Sequence, residues 1–297
     1  MREQKPVYTP EYCEAQYNVR AAIPGHRQIF ARWKDASREA RRTLSCVLDV
    51  AYGSGPDETL DIFYARGESR ALLTFLHGGF WRALHKDDFS FVARPFVERD
   101  VTVAVINYAL APAVTVETIV RQMLAAHAWL YRHCERYGAP RDRIFVSGHS
   151  AGGQLAAMML AAVWSAYDKG LPDDLVKGGL AVSGVYDLAP LLQVSFNSDM
   201  RLDAGSVRKL SPIHYRPLRP VPFYTAVGGD ESEEFRRQNR LIAETWEHCF
   251  RRDIPMPGCH HLGVVEQLGN PGSALVAGAL KMMGLDRSGG AGIARIQ

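Results

Sequence analysis

Five short and almost uninterrupted apolar runs, at 71–76, 101–107, 144–146, 179–182 and 222–227, constrain this chain more than any other feature of it. Such runs lack the polar alternation of a half-solvated strand and read as strands buried on both faces. The segments between them suit helices at 89–99, 116–137, 154–167, 234–249 and 273–283. That alternation predicts a mostly parallel sheet covered by helices, an α/β architecture. Upstream, 46–52 and 60–64 flank the turn-like Gly53-Ser54-Gly55-Pro56-Asp57 and predict an antiparallel hairpin at the start of the sheet. Residues 8–42 read as a helical N-terminal flank or lid, broken at Pro24-Gly25, with Tyr17, Ile29, Phe30 and Trp33 set among charges. The proline-rich stretch 188–220 reads as part of a wall over a pocket, and 286–297, with Gly289, Gly290 and Gly292, as a loose tail. No linker interrupts the pattern, so one domain over 1–297 is expected, its flank at 1–42.

Charge narrows the function. Lys and Arg number 35 against 32 Asp and Glu, a formal +3 that is too small and too dispersed for a nucleic-acid or membrane-surface binder. A small-molecule ligand is expected, and a homodimer is left open. The five cysteines are odd in number, widely spaced and form no CxxC, which argues against a disulfide frame or a zinc site. The start of the chain lacks the apolar core of a secretory signal, so a reducing cytoplasm is the expected compartment. The stretch 144–167 carries no formal charge, yet it includes Ser147, Gly148, His149, Ser150 and Gln154, a composition of buried core rather than of a lipid-spanning helix.

Within that stretch, Gly148-His149-Ser150-Ala151-Gly152 is a GxSxG directly after a strand and before an Ala-rich helix. A sharp strand-to-helix turn presents a serine hydroxyl at the helix N-terminus, and flanking glycines let the two elements approach closely. Ser150 is therefore the candidate nucleophile. A serine needs a base to take its proton and an acid to orient that base, in the chain order serine, acid, histidine. The strand at 222–227 runs into Gly228-Gly229-Asp230 and offers Asp230 as the acid, with Asp187 and Asp253 as alternatives. Two histidines downstream, His260 and His261, share one loop, and spacing alone leaves the choice between them open; His248 falls inside an expected helix.

A tetrahedral intermediate also needs donors for its oxyanion, and backbone N–H groups supply them without reorganisation. His77-Gly78-Gly79-Phe80-Trp81 follows the strand at 71–76, so the amides of Gly78 and Gly79, with that of Ala151, are the expected oxyanion hole. His77 is expected to brace this loop by hydrogen bonding rather than to transfer a proton. Phe80 and Trp81 beside the donors, and Tyr186 after the strand at 179–182, are expected to border the substrate with aromatic surface; core packing is the competing reading.

The chain resembles the kynurenine formamidase (arylformamidase) group of α/β-hydrolases, near the hormone-sensitive-lipase-like esterases. The likeness lies in HGGFWR at 77–82 with Lys86-Asp87-Asp88 following, GHSAGGQLAAMML at 148–160 and VSGVYDLAPLL at 182–192. EAQYNVRAAIPGH at 14–26 and GGDESEEFRRQ at 228–238 look like the family as well, so the resemblance covers about residues 10–285. It implies an α/β-hydrolase domain with a mostly parallel sheet of about eight strands, no metal or organic cofactor, and Ser150, Asp230 and His261 as nucleophile, acid and base. His261 is preferred because His261-Leu262-Gly263-Val264-Val265-Glu266 is similar to the family's ending, with Leu262 where an aromatic is common. The implied reaction cleaves N-formylkynurenine to formate and kynurenine through an acyl-enzyme; a carboxylesterase acting on short-chain or aryl esters is the alternative.

Overall fold

The apolar runs become the centre of an eight-stranded sheet in the computed structural model, which describes residues 7–286. The strands are β1 (Cys46–Ala51), β2 (Thr59–Phe63), β3 (Ala71–Leu76), β4 (Val101–Ile106), β5 (Ile144–His149), β6 (Val176–Val182), β7 (Phe223–Gly228) and β8 (Phe250–Met256). Their order in the sheet is β1-β2-β4-β3-β5-β6-β7-β8. β1 pairs antiparallel with β2, as the hairpin signal implied; β2 also pairs antiparallel with β4, and every other pairing is parallel. Apart from Asp286, the tail expected to be loose lies outside the described residues.

Successive side chains of a strand point to opposite faces, and β5 shows why its run had to be continuous. Ile144 and Val146 join the core on one face with Leu155, Met159 and Met123, whereas Phe145 joins the other with Phe75, Val276 and Leu280. The helices Val116–His133 and Ala151–Ala161 cover the first face, and His26–Thr43 and Ala274–Met282 the second. Each fully buried aliphatic side chain contributes about 1.5–3 kcal/mol.

β8 is a strand where the sequence pattern predicts a helix to 249 and no further strand. The helix ends at Thr245, and the chain Phe250–Met256 pairs with β7 at the sheet edge. An edge strand exposes much of its length, so Arg251, Arg252 and Asp253 are tolerated and no apolar run marks it. The helix expected at 89–99 is instead a pair of short turns, Ser90–Ala93 and Arg94–Val97, and the one at 154–167 begins earlier, at Ala151, and divides after Ala161.

The N-terminal flank is helical, as Pro10–Tyr17, Val19–Ala22 and His26–Thr43, with the chain turning at Pro24-Gly25. It is tied down over the C-terminal edge of the sheet. The Tyr17 hydroxyl donates to Glu234 Oε2 at 2.8 Å, Ser195 N–H donates to Glu14 Oε2 at 2.9 Å, and the Trp33 ring packs 5.2 Å from Phe89.

Two buried histidines give the fold a pH limit. His127 sits between Thr74 Oγ1 at 3.0 Å and the Met123 carbonyl at 2.8 Å, and burial pushes it down to about 4; burial pushes His77 down to about 4 as well. On unfolding each regains an ordinary value near 6.5. The unfolded chain therefore binds more protons below that pH, so this stability is complete above about pH 6.5 and is lost as pH falls towards 4. The loss approaches about 3 kcal/mol per histidine. The thermal midpoint should fall steeply between pH 6.5 and 4, and less steeply in His127→Gln; a level midpoint over that interval would contradict it.

Candidate active site

Register brings the strand ends together. Leu76 pairs with Gly148, His149 with Val182 and Gly228 with Met256, so the loops after β3, β5, β6, β7 and β8 open on one edge of the sheet. Open α/β sheets build their sites there.

Ser150 stands between β5 and the helix Ala151–Ala161 with φ 57° and ψ −119°, a left-handed conformation that a serine holds only when its surroundings impose it. The surroundings do. Ser150 N–H donates to the Val182 carbonyl at 2.8 Å, and the Ser150 carbonyl accepts from Gly153 N–H at 2.8 Å. A β-carbon on Gly152 would lie 1.9 Å from the Leu76 carbonyl oxygen, so only glycine lets this helix start so close to β3. The GxSxG turn is thus built as its sequence implied.

The loop after β3 lies against this turn: a β-carbon on Gly78 would be 3.1 Å from Ser150 Cβ. Gly79 has φ +106° and lines the pocket with Ser150. His77 braces the loop as expected. Its Nδ1–H donates to the Gly78 carbonyl at 2.8 Å, its ring stacks 4.1 Å from that of Tyr108, and the Tyr108 hydroxyl donates to the His77 carbonyl at 2.7 Å. Ala151 opens the helix, where the first N–H groups have no partner within the helix.

The two neighbouring histidines are separated by what their rings do. His260 caps the helix His261–Glu266, its Nδ1 accepting from Gly263 N–H at 3.0 Å. His261 is buried, lines the pocket with Ser150, and directs Nδ1 to Glu231 Oε2 at 2.6 Å. The rings of Phe235 at 4.2 Å and His149 at 4.7 Å pack against it. His149 adds a backbone tie, Nε2–H donating to the His261 carbonyl at 2.9 Å, and burial followed by the neighbouring His261 holds His149 well below the ordinary histidine range.

The acid facing His261 is therefore Glu231, and the choice of Asp230 needs correction. Glu231 N–H donates back to the Gly228 carbonyl at 3.2 Å, closing a turn that sends residue 230 outward and residue 231 back over the end of β7. Asp230 is exposed. The Glu231 carboxylate is buried and satisfied: Oε1 accepts from Ser183 Oγ at 2.5 Å and from Gly228 N–H at 2.7 Å, leaving Oε2 to His261. The alternatives lie elsewhere, Asp187 beside Arg237 at 3.5 Å and Asp253 accepting from Asn239 at 3.0 Å, while His248 contacts the Pro217 carbonyl at 3.3 Å.

Of the three aromatics expected to border the substrate, only Phe80 lines the pocket that holds Ser150, its ring 4.8 Å from that of Phe196 in the stretch 188–220. Trp81 is fully buried beneath the loop, its Nε1–H donating to Gln154 Oε1 at 3.2 Å, because positive φ at both Phe80 and Trp81 turns the second ring inward. Tyr186 is also fully buried, 6.5 Å from Phe223 in the core. The other pocket walls come from the N-terminal flank, with Tyr17, Arg20, Phe30 and Trp33, and from Arg82 and Leu262. The sequence signal for the flank was the apolar set Tyr17, Phe30 and Trp33 itself, which a solvent-facing helix would not carry. Among the described residues no group of three or more His, Cys, Asp or Glu side chains could hold a metal ion, and no helix is long and apolar enough to cross a membrane.

The sheet topology and the turn at Ser150 are those of an α/β hydrolase, and a family model described as alpha/beta hydrolase fold matches residues 73–211. A kynurenine formamidase of Salmo salar is 30% identical over 261 residues, 84% of this chain and 86% of that protein. The chain belongs to the kynurenine formamidase family. One of Danio rerio is 28% identical over 286 residues, 93% of this chain and 94% of that protein. Among solved structures, that of a thioesterase candidate from Silicibacter sp. tm1040 is similar with a TM-score of 0.78 at 29% identity, covering 88% of this chain and 96% of that one.

Proposed function

We propose that this protein hydrolyses N-formylkynurenine to formate and kynurenine by way of a formyl-enzyme. The observation that carries the reading is the 2.6 Å contact of His261 Nδ1 with buried Glu231, with His261 and Ser150 lining one pocket. Family membership supports the substrate. With Nδ1–H given to a carboxylate, Nε2 keeps its lone pair and can take a proton. His261 removes the Ser150 proton as Oγ attacks the formyl carbon, and the carbonyl π electrons move to oxygen. The amides of Gly78, Gly79 and Ala151 hold that oxyanion. Collapse breaks the C–N bond while His261 returns the proton to the departing arylamine, whose low basicity makes it easier to expel than an alkylamine. Water then attacks the formyl-enzyme with the same base, releasing formate and restoring Ser150. Glu231 orients His261 and stabilises its cation. The substrate is a small molecule, and the reaction needs no cofactor.

The test is a comparison of kcat/KM for N-formylkynurenine and p-nitrophenyl acetate. The ester has the better intrinsic leaving group, so preference for the formamide must come from pocket contacts realised in the transition state. We expect the formamide to lead by about tenfold, near 1.4 kcal/mol. A specificity constant for the ester well above that for the formamide would replace this reading with a carboxylesterase using the same residues.

A further inference from the structure

We infer that Arg20 forms an anion seat at the outer end of the Ser150 pocket, built to take a carboxylate carried on the leaving-group side of the substrate. The inference rests on the proposed acyl-transfer role of this pocket and names the class of substrate it selects: an aromatic acyl amide or ester with an anionic tail.

Arg20 and Arg82 both line the cavity that holds Ser150 and His261. Arg82 is already committed, bonded to Asp199 and lying 4.9 Å over the Phe196 ring. Arg20 lies 5.8 Å over the Phe30 ring, and among the described residues no carboxylate is paired with it. Its guanidinium is held below the usual arginine range by partial burial and then by the charge of Arg82, so the charged neighbour it feels is another cation. Arg20 is an exposed residue at the pocket, and a guanidinium lying over an aromatic face leaves its N–H edge available, a planar fork that matches a carboxylate. The cavity that Arg20 and Ser150 share is also lined by Phe80, Phe196 and Leu84, apolar surface that suits an aromatic ring joining the anion to the scissile bond. A formyl or other small acyl group at Ser150 has no tail to reach Arg20, so the carboxylate belongs to the leaving group.

Two matched substrate pairs test this. The first is N-formylkynurenine against neutral N-formyl-2-aminoacetophenone; the second is 4-acetoxybenzoate against phenyl acetate. For Arg20→Gln we expect KM for each carboxylate substrate to rise by about tenfold with kcat little changed, while KM for each neutral partner moves by less than about twofold. Arg20→Lys should recover part of the loss, and added salt should weaken the carboxylate preference of the wild type and not that of Arg20→Gln. Equal losses on charged and neutral partners would reduce Arg20 to a structural role, and an unchanged KM for both carboxylates would remove the seat. If the wild type left both formamides intact but cleaved the esters, the formamidase reading would fail and the ester pair alone would decide the seat.

Discussion

Ser150→Ala should lower kcat/KM by about 10⁴-fold or more and abolish covalent labelling by a fluorophosphonate, with the thermal midpoint almost unchanged. The two parts have separate causes. Ser150 lines the pocket and its hydroxyl is the group proposed to bond the substrate, so its removal ends the covalent route and leaves only what the oxyanion donors and binding supply. The fold at this point is held by the backbone, through Ser150 N–H to the Val182 carbonyl and Gly153 N–H to the Ser150 carbonyl, and alanine keeps both bonds. Alanine also inherits the φ of 57°, so no strain is added or released. Labelling that persisted in the variant would assign the nucleophile elsewhere, and a collapsed thermal midpoint would show that the hydroxyl stabilises the turn.

The features legible in the sequence were those enforced locally. A strand buried on both faces must be apolar throughout, so β3, β4, β5 and β7 announced themselves, and the steric demands of the Ser150 turn wrote glycines at 148 and 152. Features decided by tertiary direction were not legible. β8 is polar because it lies at an edge, and Trp81 looked like a pocket residue because nothing local shows that its ring turns beneath the loop. Asp230 and Glu231 are adjacent carboxylates after the same strand. Which of them faces His261 depends on a backbone hydrogen bond from residue 231 to residue 228, and composition does not display that bond.

That pair also supplies a large contrast between neighbouring residues. Glu231→Gln should reduce kcat by about 10⁴-fold, the loss seen when the orienting carboxylate of such a triad becomes an amide. Asp230→Asn should stay within about twofold, as surface substitutions usually do. The glutamine oxygen can still accept from Ser183 and Gly228, which places its NH₂ where Oε2 now meets His261 Nδ1. Two donors cannot share that contact, so His261 must shift its proton to Nε2 and point N–H, rather than a lone pair, at Ser150. The geometry survives and the base is lost, so the effect should appear in kcat for both formamide and ester, with folding intact by circular dichroism. Glu231→Asp keeps the charge but shortens the reach by one methylene, and it should fall between the wild type and Glu231→Gln. A larger loss in Asp230→Asn than in Glu231→Gln would return the acid's role to Asp230 and imply that the turn at 228–231 rearranges when substrate binds.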